Sequence, residues 1–127
     1  MRIRHILLKV DDQDKALDFY TRVLGFVKRF DIPMGAFRWL TVVEPDDPDG
    51  VEIVLEPNAP PPAAASQKAL YENGFPAALL TTATLQADYE RLRDLGVVFR
   101  GEPDLSGPVP TVFFEDGCGN LINLAQA

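Results

Sequence analysis

The strongest constraint on this chain is a pattern that occurs twice. Two helix ends, Leu24-Gly25 and Leu95-Gly96, lie 71 residues apart (95 − 24 = 71), and similar elements surround both. In the first copy, residues 3–10 read as a strand, with Ile6, Leu8 and Val10 on one face and Ile3, His5 and Leu7 on the other. Asp12 is suited to cap a helix in which Ala16, Leu17, Tyr20, Val23 and Leu24 recur at helical spacing. Gly25 can take the left-handed conformation that ends it. Three strands are expected next, at 26–31, 37–44 and 51–56, the last two joined by the turn-forming run EPDDPDG. In the second copy a strand at 77–82 leads to a helix capped by Thr84 and carrying Leu85, Tyr89, Leu92 and Leu95. Gly96 ends this helix, and strands are expected at 97–100, 109–115 and 121–125. A repeat this long, seen twice, marks an internal duplication and not a solenoid.

The expected fold is one α+β domain made of two tandem β-α-β-β-β modules, residues 1–57 and 76–127. Their mixed sheets would curl around a cavity, with the helices outside. Residues 58–75 form the connector. Its PNAPPPAAAS run reads as extended, and SQKALYENG reads as a short helix from Ser66 to the stop at Gly74. This connector is expected to be a surface linker, a lid or a dimer contact.

Composition narrows the function. A chain of 127 residues, 46% hydrophobic and 24% charged, can bury a core of its own. No apolar run is long enough for a bilayer, and the start lacks a signal-peptide pattern, so no membrane partner is expected. The single cysteine, Cys118, cannot form an internal disulfide, which fits a cytoplasmic protein. The net charge of −7, without a cluster of basic residues, argues against nucleic acid and favours a cationic ligand over an anionic one.

His5 is the only histidine. Moved by 71 or 72 residues it falls on Pro76 or Ala77, and Glu52 moved by 71 falls on Asn123. The first module therefore offers an imidazole and a carboxylate, and the second an apolar residue and an amide. His5 and Glu52 are the candidate proton-transfer couple if both face one cavity, or a pair that merely satisfies itself. Glu56 shares a face with Glu52 but lies about 13 Å along the strand, too far to join one metal centre. Phe37, Trp39 and Thr41 share one face of their strand and Arg38, Leu40 and Val42 the other, so Arg38 and Trp39 cannot both reach a ligand. Phe113 and Phe114 pose the same alternative. Cys118 lies in DGCGN, a turn, and as a nucleophile it would have only His5 for a base.

Three stretches carry a family resemblance: HILLKVDDQDKALDFYTRVLGF, RWLTVVEPDDPDGVEIVLEP and VFFEDGCGNLINLAQ. Across nearly its whole length the chain resembles the vicinal oxygen chelate superfamily, which includes glyoxalase I, extradiol dioxygenases, fosfomycin-resistance proteins and bleomycin-binding proteins. In its metal-using members, the first and last strands of each unit supply the ligands. The resemblance matches His5 and Glu52 to two of those places and leaves Ala77 and Asn123 at the other two. Ala77 has no donor, and Asn123 offers a neutral amide. The resemblance therefore implies a small-molecule-binding homodimer with a degenerate metal site and no resident cofactor. Its ligand would lie near His5, Glu52, Phe37, Trp39 and Asn123. The alternatives are a glyoxalase I-like lyase or isomerase, or a dioxygenase, using zinc, nickel, manganese or iron; or a metal-free acid–base catalyst built on His5 and Glu52.

Overall fold

The computed structural model describes residues 1–127, which form two compact units, Met1–Gln67 and Lys68–Ala127. The chain is α+β, with a mixed sheet in each unit. No helix is long and apolar enough to cross a membrane.

The first unit has a four-stranded sheet in the order β1-β4-β3-β2, formed by β1 (His5–Val10), β2 (Val27–Met34), β3 (Phe37–Val43) and β4 (Glu52–Pro57). The helix α1 (Gln13–Asp18) starts at Asp12, whose side chain accepts from the Lys15 amide at 2.9 Å. It continues as a π-helical turn over Phe19–Val23, where the Leu24 amide reaches back to the Phe19 carbonyl. Inside that turn the Thr21 hydroxyl donates to the Leu17 carbonyl at 2.6 Å. The chain leaves it at Gly25, φ 91°, as its glycine permits. Ala16, Tyr20 and Val23 are buried, as are Leu8, Val10, Leu40, Val42 and Leu55 on one face of the sheet. Ile6, expected with this set, is exposed near the start of β1.

The second unit has a three-stranded sheet, β5-β7-β6, from β5 (Ala78–Thr82), β6 (Thr111–Glu115) and β7 (Leu121–Gln126), with α3 (Leu85–Asp94). The strand expected at 97–100 is reduced to an isolated bridge between Phe99 and Phe114. Gly101, at φ 107°, turns the chain away, and Pro103, Pro108 and Pro110 lack the amide hydrogens that a ladder needs. Thr84 precedes α3 but its hydroxyl does not cap it; the Gln126 side-chain oxygen accepts from the Leu85 amide instead, at 2.9 Å. Phe114 is fully buried, with the Phe99 ring 5.7 Å away.

The connector also differs from expectation. α2 (Pro61–Glu72) begins five residues before Ser66 and includes most of the run expected to be extended. Prolines suit a first helical turn, where their missing amide hydrogens have no intrahelical role. The Pro60 carbonyl accepts from the amides of Ala63 and Ala64, and three alanines propagate the helix. Gly74, at φ 78°, follows its end.

Three strands of each unit keep the duplicated pairing, but not at one constant offset. Leu7, Val54 and Thr41 form a row across β1, β4 and β3, and Leu79, Asn123 and Phe113 form a row across β5, β7 and β6. The outer residues differ by 72 (79 − 7 and 113 − 41), the middle ones by 69 (123 − 54). The cause is turn length: residues 44–51 join β3 to β4, eight residues, while 116–120 join β6 to β7, five. Asn123 therefore takes the place of Val54, and Leu121 takes that of Glu52. This corrects the matching of Glu52 with Asn123.

Candidate functional site

One face of the first sheet carries the candidate side chains. His5 pairs with Glu52 across the parallel β1–β4 ladder, so the two residues share a face with Lys9, Val54 and Glu56. Thr41 pairs with Val54, which places Phe37 and Trp39 on that same face of β3. His5 and Trp39 project toward each other from the two strands flanking β4. Their rings meet edge to face, centroids 5.4 Å apart.

Beside this ring pair lies a cleft of about 500 Å³. Phe37, Trp39, Val54, Pro57 and Pro60 supply its apolar surface, and Lys9 and Glu56, joined as an ion pair, supply its charge. The far wall is pinned: the Asn58 amide donates to the Val10 carbonyl, and the Asn58 side chain to Gln67, which in turn donates to the Lys9 carbonyl. His5 and Glu52 do not line the cleft itself. His5 connects them to it only through its contact with Trp39, and its Nε2 is 3.6 Å from Glu52 Oε2.

Arg38 contributes to the cleft wall, but its guanidinium is engaged by Asp31 and Asp14. Its hydrogen bonds hold the Asp31 carboxyl below the usual carboxylate range. The strand segment from Phe37 to Trp39 has a support that sequence reading missed. Gln13, at the start of α1, donates to the carbonyls of Arg38 and Leu55 at 2.8 and 2.9 Å and accepts from the Arg38 amide at 3.1 Å. A glutamine just after a capping Asp carries no sequence signal for such a role.

The remaining candidates lie in the second unit. Asn123 is on β7 between Leu79 and Phe113, and its side-chain oxygen is buried without a hydrogen-bond partner. Cys118 is fully buried in its turn, where the Asp116 carboxylate accepts from its amide and from that of Asn120. A thiol so enclosed is not presented to a substrate.

No group of three or more His, Cys, Asp or Glu side chains is arranged to hold an ion. His5 and Glu52 give two donors where three are normally required. The Arg4 guanidinium, 3.9 Å from Glu52 Oε2, already brings a positive charge to that carboxylate.

Comparison with known proteins agrees with the fold. The model of the Glyoxalase/Bleomycin resistance protein/Dioxygenase superfamily matches residues 2–124. The protein YurT of Bacillus subtilis (strain 168) is 48% identical over 126 residues, covering 99% of each chain. The crystal structure of UcmS2 is 36% identical, with a TM-score of 0.85 over 100% of this chain and 98% of that one. TnmS3, an antibiotic binding protein from Streptomyces sp. CB03234, is 29% identical with a TM-score of 0.76, covering 99% and 95%.

Proposed function

The chain belongs to the glyoxalase/bleomycin resistance protein/dioxygenase superfamily, and from that premise we propose that it is a small-molecule-binding protein whose ligand lies in the Phe37–Trp39 cleft. The observation that carries this reading is the cleft: a volume suited to a small molecule, two aromatic side chains, and a charged pair at one side. The likeness to an antibiotic binding protein supports the same reading. A flat, largely apolar compound would stack on Trp39, bury the Phe37 ring and orient its polar groups toward Lys9 and Glu56. His5 and Glu52 would adjoin the bound molecule through the contact of His5 with Trp39. No resident metal enters this reading.

Trp39 is the sole tryptophan, so its fluorescence reports on the cleft without mutation. Among antibiotics and other flat aromatic compounds, those that raise the melting temperature should also change Trp39 emission. Phe37→Ala should weaken them about tenfold through lost aromatic contact. A compound that stabilises the protein while leaving Trp39 emission and its affinity for Phe37→Ala unchanged would put the site elsewhere.

The homodimer implied by the resemblance is part of the same proposal. Phe30, Ile32 and Met34 are exposed on β2, a sheet edge, and such a surface favours a partner. Sedimentation equilibrium should give twice the chain mass, and a monomer at all accessible concentrations would remove this part. A reducing compartment such as the cytoplasm suits the lone thiol of Cys118.

A further inference from the structure

Glu52 is 3% exposed, yet its Oε1 has no hydrogen-bond partner. Its other oxygen is 3.6 Å from His5 Nε2 and 3.9 Å from Arg4 Nη2, both beyond hydrogen-bond length. Arg4 Nη1 donates to the Asp49 carbonyl at 2.6 Å, so its guanidinium brings charge near Glu52 without making a hydrogen bond to it. On the same face, the neighbours Leu7 and Val54 have no donor to offer. A buried carboxylate oxygen left in this condition is costly, and such groups are uncommon in folded proteins unless something completes them.

His5 sits beside this carboxylate on the neighbouring strand, and its ring touches Trp39, which lines the cleft. Its side chain is 39% exposed, approaches Glu52 without bonding it, and leans edge-on against the Trp39 ring. Rotation about its side-chain bonds would therefore break no hydrogen bond and would open the space beside Glu52. Val54, which lines the cleft, is two residues along β4 from Glu52, about 7 Å. A compound lying against Trp39 needs only a short arm to reach that far.

The charges around the cleft then select the arm. Lys9 is neutralised by Glu56, and Arg38 by Asp31 and Asp14. The cleft offers an anionic ligand no cation that is not already engaged, whereas Glu52 keeps an unfilled acceptor. Building on the cleft reading above, we infer that the ligand is an aromatic amine: its ring stacks on Trp39, and its ammonium group takes the place of His5 against Glu52. This gives Glu52 the role of a ligand-pairing carboxylate. In the second unit the matching place is held by Leu121, so this carboxylate has no counterpart there.

Naphthylmethylamine, protonated at neutral pH, and its uncharged isostere ethylnaphthalene are suitable probes, with affinities read by calorimetry. Glu52→Gln should weaken the amine about tenfold, the usual scale of a charge-assisted hydrogen bond, and leave the hydrocarbon within about twofold. His5→Ala, which removes the group to be displaced, should leave the amine bound at least as tightly as in the parent. If Glu52→Gln binds both probes as the parent does, the amine inference fails while the cleft stands. If Glu52→Gln loses both probes, Glu52 belongs to the framework, which also overturns the inference. If the parent protein binds neither probe, the cleft reading itself fails and takes this inference with it.

Discussion

Tyr20→Ala should lower the stability of the first unit by about 3–5 kcal/mol, the range for removing a buried aromatic side chain. Tyr20 is 1% exposed and has Phe19 and Phe26 within ring-contact distance, at 5.4 and 6.5 Å between centroids. It sits on the π-helical turn, and the Phe26 amide donates to its carbonyl at 2.9 Å, so the backbone around it is fixed. The cavity could not collapse easily, which places the loss in the upper part of the range. Against a total of about 5–15 kcal/mol for a typical domain, this is a large fraction. Urea titration followed by Trp39 fluorescence gives a direct measurement, because the sole tryptophan lies in the same unit. The midpoint should fall while the slope stays unchanged. A loss below about 1 kcal/mol would mean that the Tyr20 ring is not sealed in this core.

The order of elements could be read from the sequence because burial imposes it. Ala16, Tyr20 and Val23 on α1, and Leu85, Tyr89 and Leu92 on α3, are buried at the spacing that marked each helix. Departures occurred where geometry depends on groups distant in sequence. A constant offset matched Glu52 with Asn123, but a turn three residues shorter in the second unit moves β7 relative to its neighbours and breaks that match. The strand expected at 97–100 had suitable residues, yet a glycine and three prolines downstream left it a single bridge. Pro61 and Pro62 looked like extended chain and instead opened a helix. Within the candidate site, the shared face of Phe37 and Trp39 was legible from alternation. The meeting of His5 with Trp39 was not, because it depends on two side chains reaching toward each other from either side of an intervening strand.

Gln13 is the residue through which fold and site are most directly coupled, and Gln13→Leu should show both effects. Its side chain satisfies three backbone groups, the amide and carbonyl of Arg38 and the carbonyl of Leu55. Leucine fills a similar volume but leaves all three without that partner, at about 2–4 kcal/mol in total once partial access to water is allowed for. Arg38 lies between Phe37 and Trp39, so freeing its backbone also loosens the aromatic wall of the cleft. The ligand that changes Trp39 emission should therefore bind more weakly to the folded variant. Gln13→Glu separates hydrogen bonding from packing. It keeps the acceptor for the Arg38 amide but sets a negative oxygen against two carbonyls, so it should be no more stable than Gln13→Leu at neutral pH. Near-parental stability of Gln13→Glu would mean that the two donated bonds contribute little and that shape and the bond accepted from Arg38 explain the residue. The second unit ties its helix start with a glutamine by a different route, Gln126 on the last strand accepting from the Leu85 amide and donating to the Ala83 carbonyl. Both units thus fasten a helix start to the sheet through one amide side chain, but from opposite ends of the connection. Only the one in the first unit supports the strand that carries Trp39.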